Sequence, residues 1–333
     1  MRNVTLGRRT FLQLAVFSGL LSLSGCSFST TRPKLLLPRG VLPLEFLRAL
    51  SSPWRYEFLD AQSNVDAYKS LSEKNADLVA LGDGWLKKFP HELLQSIDVN
   101  ALYDRLSNPA IAFLNSLGAP FASKVFPLAF SPWVLVFRRG GKFLPRANES
   151  WEVLLDPDLK GQVILPTSPR LIMTLAKRMS YNDSLRRLRL QARSFDDRNG
   201  LNWLLSGKAK VAVLPLQDCL THFKRDPRLS IALPKEGCPL NWTLLLRPES
   251  SVEPFPSSWI QQSWRLPLLV DLLSMGVVPP LPYEELSEAI DLLPQDFQEI
   301  YKYERLLKNA WSLPLLNLVE EKVLEERWVG STP

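Results

Sequence analysis

The chain has 333 residues, with 40 Lys and Arg against 34 Asp and Glu and a formal charge of +6. That length has room for two lobes, each with its own core. The mild positive excess, without a dense basic run interleaved with aromatics, excludes a nucleic-acid binder. Two histidines, His91 and His222, are too few and too far apart for a zinc centre. Beyond residue 25 there is no H-E-x-x-H, phosphate loop or G-x-S-x-G, so neither catalysis nor a cofactor is expected.

Residues 1–25 read as a cleaved signal. Arg2, Arg8 and Arg9 make a basic start with no acid, and the apolar run over residues 11–25 is broken by Ser and Gly. It is too short to span a bilayer core of about 30 Å comfortably. Arg8-Arg9 followed by Phe11-Leu12 resembles a twin-arginine export signal, and Leu23-Ser24-Gly25-Cys26 resembles a bacterial lipobox. The resemblance places lipid on Cys26, and a diacylated terminus supplies the two chains that stable anchoring needs. An extracytoplasmic, lipid-anchored protein is expected, with its charge lowered from +6 to +3 by loss of three arginines.

Residues 26–33 form a short polar tether. Residues 34–37 read as a buried strand stopping at Pro38-Arg39-Gly40, 43–50 as a helix, and 54–59 as a second strand. Residues 65–74 read as a helix, and 76–81 as a short apolar strand ending in Gly82-Asp83-Gly84, with a helix from Trp85. This alternation predicts an α/β layer with a mainly parallel sheet. Ligands gather at the carboxyl ends of strands in such sheets, so the loops at 38–40 and 82–85 are binding candidates. Residues 125–138 contain prolines that oppose helix and read as a long extended crossover between lobes. Ser168 and Pro169 suit an N-cap and first helical residue, opening a helix over 171–179. Residues 210–214 read as another strand, followed by Asp218, and 231–246 as a second extended crossover. From Ser257 the chain is mostly helical, interrupted by Val278-Pro279-Pro280-Leu281-Pro282. Cys219 and Cys238 leave a disulfide and free thiols both open, because pairing needs Cα atoms within about 7 Å.

Residues 151–163, Trp151-Glu152-Val153-Leu154-Leu155-Asp156-Pro157-Asp158-Leu159-Lys160-Gly161-Gln162-Val163, are similar to the W-x-x-L-x-D-P-x-L-K-G-x-V pattern of bacterial extracellular solute-binding proteins of the spermidine/putrescine type. Thr167-Ser168-Pro169-Arg170 falls where that family starts a second-lobe helix. Leu233-Pro234-Lys235-Glu236-Gly237 is similar to its I-P-K-E-G, and Ala76-Asp77-Leu78-Val79 to its D-V-V strand. The resemblance implies a two-lobe, type II periplasmic-binding-protein-like α/β fold with two interlobe crossover strands and a helical C-terminal region. It places a first lobe over 34–130, a second over 131–238, and a return with C-terminal helices over 239–333. It further implies a small-molecule ligand in the interlobe cleft, an ABC permease as partner, and no enzyme activity.

Polyamine binders hold ammonium groups with carboxylates and stack the methylenes on aromatic rings. Where the family starts its second-lobe helix with D-x-R-E, this chain has Ser168, Pro169, Arg170 and Leu171; where L-W-x-D follows, it has Leu240-Asn241-Trp242-Thr243. Each charge-assisted hydrogen bond lost is worth roughly 1.5–3 kcal/mol, so polyamine is disfavoured. Arg39 and Arg170 suit an anionic group, and Asp83 and Asp218 suit an ammonium, so a zwitterion or an anion is the expected ligand. Trp85, Trp133 and Trp242 are the stacking candidates, with Ser168 and Thr243 beside them. The structural alternatives are turn chemistry for the acids, a helix-end or interlobe contact for Arg170, a solvated loop for Arg39, and core packing for the tryptophans. A second class of function stays open, a scaffold or assembly lipoprotein that keeps the two-lobe fold without binding a small molecule. Converging Arg39, Arg170, Asp83 and tryptophans mark a binder; a cleft filled with apolar side chains marks a scaffold.

Overall fold

The computed structural model describes residues 32–59 and 76–331. Arg8, Arg9, Cys26 and the helix expected over 65–74 lie outside the described residues. Among the described residues, no helix is long and apolar enough to cross a membrane.

Strands β1 (Lys34–Pro38), β2 (Arg55–Leu59) and β3 (Leu78–Gly82) are parallel, in the order β2-β1-β3. The Leu-rich runs of β1 and β3 are buried almost throughout, as suits strands covered on both faces. The axis of the molecule is β4 (Val125–Arg138), buried in all but its last residue. From Val125 to Pro132 it pairs antiparallel with β9 (Pro239–Leu246). From Trp133 onward it pairs with β7 (Val211–Pro215), and near its end with β8 (Leu229–Ala232). Strands β5 (Val163–Leu165) and β6 (Ala192–Phe195) extend this second half, parallel to β7. One strand thus serves two sheet halves, as its proline-broken apolar run predicts. Pro127 sits at a register shift, where its missing N–H is tolerated.

The second crossing differs from the expectation. Residues 231–246 are not one extended segment: β8 stops at Ala232, the chain turns through 233–238, and β9 begins at Pro239. Gly237 permits that turn. Its φ is +98°, and a Cβ there would lie 1.8 Å from the Asn309 carbonyl oxygen. The helix expected from Trp85 is a 3₁₀ turn over Asp83–Lys88.

The family-like segment from Trp151 folds as two 3₁₀ turns, each opened by a side chain. Ser150 Oγ accepts from the Glu152 N–H at 3.0 Å, and Asp156 Oδ1 from the Asp158 N–H at 2.9 Å. Fully buried Trp151 donates Nε1–H to the Gly237 carbonyl at 2.8 Å, and its backbone N–H to Glu236 Oε1 at 2.5 Å. The two most family-like stretches therefore brace each other.

Helices α1 (Leu44–Arg48), α2 (Asn108–Leu117), α3 (Pro169–Lys177), α4 (Ser184–Gln191), α5 (Gly200–Leu205) and α6 (Leu216–Phe223) connect and cover the strands. Helices α7 (Ser257–Ser263), α8 (Leu268–Ser274), α9 (Tyr283–Asp291) and α10 (Gln295–Ile300) follow β9. Trp259 of α7 stacks on Phe46 of α1 at 4.4 Å, tying this helical region to the first sheet half. Cys219 and Cys238 are free and buried, with both thiols pushed up by burial.

The end of the chain does not stay with the first half. Strand β10 (Trp311–Ser312) pairs with the start of β9, and helix α11 (Leu318–Gly330) packs against α3. Arg189 of α4 stacks on Trp328 at 4.0 Å and donates to Ser331 Oγ at 2.7 Å. Within the return over 239–333, the last helix therefore lies on the second half. Long-range packing decides that, and the local sequence carries no mark of it.

Candidate functional site

Three loops leave the carboxyl ends of parallel strands at one place: Asp83 after β3, Thr167 after β5 and Asp197 after β6. With Trp133 of β4, Asn241 of β9 and part of the C-terminal segment, they line a cavity of about 480 Å³. That volume lies in the range of small-molecule sites, and the position is the one that strand-end chemistry favours.

A buried ion pair spans the two halves at this cavity. Arg170 Nη2, at the start of α3, donates to Asp83 Oδ2 at 3.0 Å. The Asp83 side chain is 2% exposed and that of Arg170 15%. Burial pushes the Asp83 carboxyl up, while the charge and hydrogen bond of Arg170 and the Gly84 amide pull against it. Gly84 makes the approach possible, because a Cβ there would already lie 3.3 Å from Arg170 Nη2. Arg170 Nη1 donates in addition to the Pro314 carbonyl at 3.1 Å, which ties the C-terminal segment to the same guanidinium. Each of these charges is matched inside the protein, so neither is left over for a ligand.

The other walls differ in how far they are satisfied. Asp197 Oδ1 accepts from the Thr167 N–H at 2.7 Å and from its hydroxyl at 2.8 Å. Ser168 is the N-cap of α3, its Oγ accepting from the Leu171 N–H at 3.5 Å. Trp133 is 7% exposed, and its Nε1–H has no acceptor among the described residues. Lys87 lies 5.4 Å from the Phe121 ring centre. Lys87, Arg198, Glu321 and Glu325 all line the cavity, and none of them has an ion pair within 4.0 Å among the described residues.

Of the residues singled out from the sequence, the cavity brings together Asp83, Trp85, Trp133, Ser168 and Arg170. Arg39 lies outside it, its guanidinium 4.7 Å from the ring centre of Phe58 on the neighbouring strand. Trp242 is fully buried core: it stacks on Phe113 at 5.0 Å, touches Phe130 at 5.1 Å, and donates Nε1–H to Ser312 Oγ at 2.9 Å. Thr243 is also buried, opposite Gly82 and Ala129. Asn241, two residues earlier on the same face of β9, lines the cavity instead. Asp218 stands in the first turn of α6 outside the lining, where the crowding around it and the nearby Asp197 carboxylate push its own carboxyl up to about 6.

Sequence reading missed Asp197 and Arg198 because β6 was not recognised as a strand, so its carboxyl-end loop was not sought. Glu321 and Glu325 lie one helical turn apart on α11, a spacing that was visible. What was not visible is that α11 reaches this cleft.

No protein-family model matches the chain, and no curated protein matches it. Solved structures do. A spermidine/putrescine ABC transporter substrate-binding protein, PotD of Streptococcus pneumoniae, superposes with a TM-score of 0.68 at 14% identity, covering 90% of this chain and 98% of that one. The TpPotD lipoprotein of Treponema pallidum gives 0.66 at 13% identity, with 90% and 99% covered. The Atu4243-GABA receptor gives 0.63 at 11% identity, with 90% and 97% covered. At these identities the likeness shows the fold, and the fold is the two-lobe, periplasmic-binding-protein-like architecture.

Proposed function

We propose that this protein is an extracytoplasmic solute-binding protein, held to a membrane by lipid on Cys26, which captures a small molecule between its two lobes and presents it to an ABC-type permease. One observation carries the reading. The cavity is lined from both sheet halves, at the carboxyl ends of β3, β5 and β6, with Trp133 of β4 and Asn241 of β9 between them. A solute held there touches both lobes at once, so its binding energy favours the arrangement in which they meet.

The family likeness supports the same role, and the names of the similar structures include spermidine/putrescine and GABA. One scaffold therefore accommodates ligands of different charge. In this chain Asp83 is already consumed by Arg170, and the other lobe carboxylate at the cavity, Asp197, is engaged by the Thr167 N–H and hydroxyl. The ligand is a zwitterion or an anion.

Native mass spectrometry of residues 27–333, purified gently, tests the reading. A bound small mass that is lost on denaturation supports it. A clean apo mass, with no thermal shift against amines, amino acids or organic anions, favours a scaffold lipoprotein instead. The internally matched Asp83–Arg170 pair is the observation on that side, because it joins the halves without any solute.

A further inference from the structure

The charges at the cleft come from two different parts of the chain. From the body come Lys87, on the turn after β3, and Arg198, on the loop after β6. From the C-terminal helix come Glu321 and Glu325, which share one face of α11. All four line one cavity, yet no cation among them lies within 4.0 Å of a carboxylate. The other carboxylates at the cavity, Asp83 and Asp197, already accept from Arg170 and from Thr167.

Helix α11 is capped within its own first turn and tied to the body just before its start and at its far end. At its start, Asn317 Oδ1 accepts from the Val319 and Glu320 N–H groups at 3.0 and 2.9 Å, and Glu320 Oε2 accepts from the Asn317 N–H at 2.8 Å. Just before it, the Pro314 carbonyl accepts from Arg170. At its far end Trp328 and Ser331 are bound by Arg189. The helix therefore forms a fixed wall with a carboxylate face.

We propose that Glu321 and Glu325 supply the ammonium-binding half of the site and that Arg198 and Lys87 supply its carboxylate-binding half, so that the ligand class is a short dipolar solute carrying an amino group and a carboxylate. The proposal rests on the solute-binding reading above and names its ligand. Closing a cleft strips water from the groups inside it, and each stripped charge then needs a counterpart. A dipolar solute supplies both counterparts. A diamine meets Arg198 and Lys87 with like charge, and a diacid meets the two glutamates in the same way. The carboxylates absent from the lobe positions of the family pattern are thus replaced from a helix at the other end of the chain.

Isothermal titration of residues 27–333 tests this with three matched series: ω-amino acids from glycine to 6-aminohexanoate, and the diamines and diacids of equal chain length. The expected result is a dipolar member binding at least tenfold tighter than its matched diamine and diacid. E321Q/E325Q should weaken that binding at least tenfold and improve the diacid relative to it. R198Q should weaken it too, but shift preference toward the diamine. E326Q, which removes a charge from α11 outside the cavity lining, should change nothing. The proposal is overturned if a diamine or diacid binds as tightly as the dipolar member, if E321Q/E325Q binds like the parent, or if no member of the series binds. In that last case a co-purified solute of another class would leave the solute-binding reading standing, and a clean apo mass would remove both.

Discussion

Replacing Arg170 with Met should open the molecule before it unfolds it. The substitution keeps the aliphatic stem and removes a guanidinium that donates to Asp83 at 3.0 Å and to the Pro314 carbonyl at 3.1 Å. The loss falls on Asp83, whose side chain is only 2% exposed and would be left as an unpaired buried carboxylate. Removing one partner of a buried pair costs about 3–5 kcal/mol. Arg170 is 15% exposed and borders a cavity that water enters, so the lower end, about 3 kcal/mol, applies. That is a factor of about 150 in the balance between joined and separated halves. Separation lets water reach Asp83, so small-angle scattering of R170M should give a larger radius of gyration at pH 8. Its Tm should fall by about 6 °C or less. The defect should shrink in acid. Burial raises the Asp83 pKa, and without Arg170 less opposes that rise, so the penalty grows as pH climbs from 3.8 through the folded-state value and fades once the group is protonated. D83N/R170M removes the stranded charge and should recover most of the loss. R170M with the parent's Tm and scattering, or D83N/R170M weaker than R170M, would refute the reasoning.

Asp218 carries a raised carboxyl, about 6 against an ordinary 3.8, so its ionised form disfavours the fold above pH 6 and the penalty is absent below 3.8. D218N should therefore raise Tm at pH 8 and leave it unchanged at pH 3.5; the residue keeps solvent access, which holds the gain to about 2 °C at most. Gly237→Ala forces a Cβ against the Asn309 carbonyl in a left-handed turn, and should cost about 2–4 kcal/mol by chemical denaturation; a loss under about 0.5 kcal/mol would mean the turn can move aside. Cys26→Ser should shift the protein from the membrane fraction to the soluble extracytoplasmic fraction, and retention in the membrane would remove lipid from the account of its anchoring.

The fold was legible wherever local pattern and tertiary role agree. The apolar runs that became β1, β3 and β7 carried their strand signal in their own residues, and the prolines of β4 ruled out the only competing reading. The family-like segments were legible for a structural reason: Trp151, Glu236 and Gly237 hold one another, so their residue types are constrained by that contact and not by any ligand. The site was legible only in part. Asp83 sits beside a strand end that could be read, so its place followed from the general geometry of parallel sheets, while Ser168 and Arg170 followed from the helix-start pattern and the family likeness. Trp242 looked like a stacking residue, but strand alternation turns it away from Asn241 and into the core against Phe113. Arg39 follows β1 just as Asp83 follows β3, but it lies over Phe58. Glu321 and Glu325 were beyond reach, because nothing within α11 encodes that it lies on α3.

The Asp83–Arg170 pair also constrains how a solute can act. A bond that joins the halves without ligand favours the joined form in the empty protein by the same few kcal/mol that its loss would cost. That bias raises apparent affinity, since less of the binding energy goes into bringing the lobes together. It also narrows the difference between empty and loaded protein, and a permease can respond only to that difference. The remaining contrast must come from charges that stay unpaired until a solute arrives, and at this cavity those are Arg198, Lys87, Glu321 and Glu325. Weakening the latch should therefore separate two quantities that usually change together. R170M should bind its solute less tightly than the parent and yet show a larger solute-induced decrease in radius of gyration. If affinity and the solute-induced change both fall, the latch belongs to the loaded state alone, and the empty protein is already open.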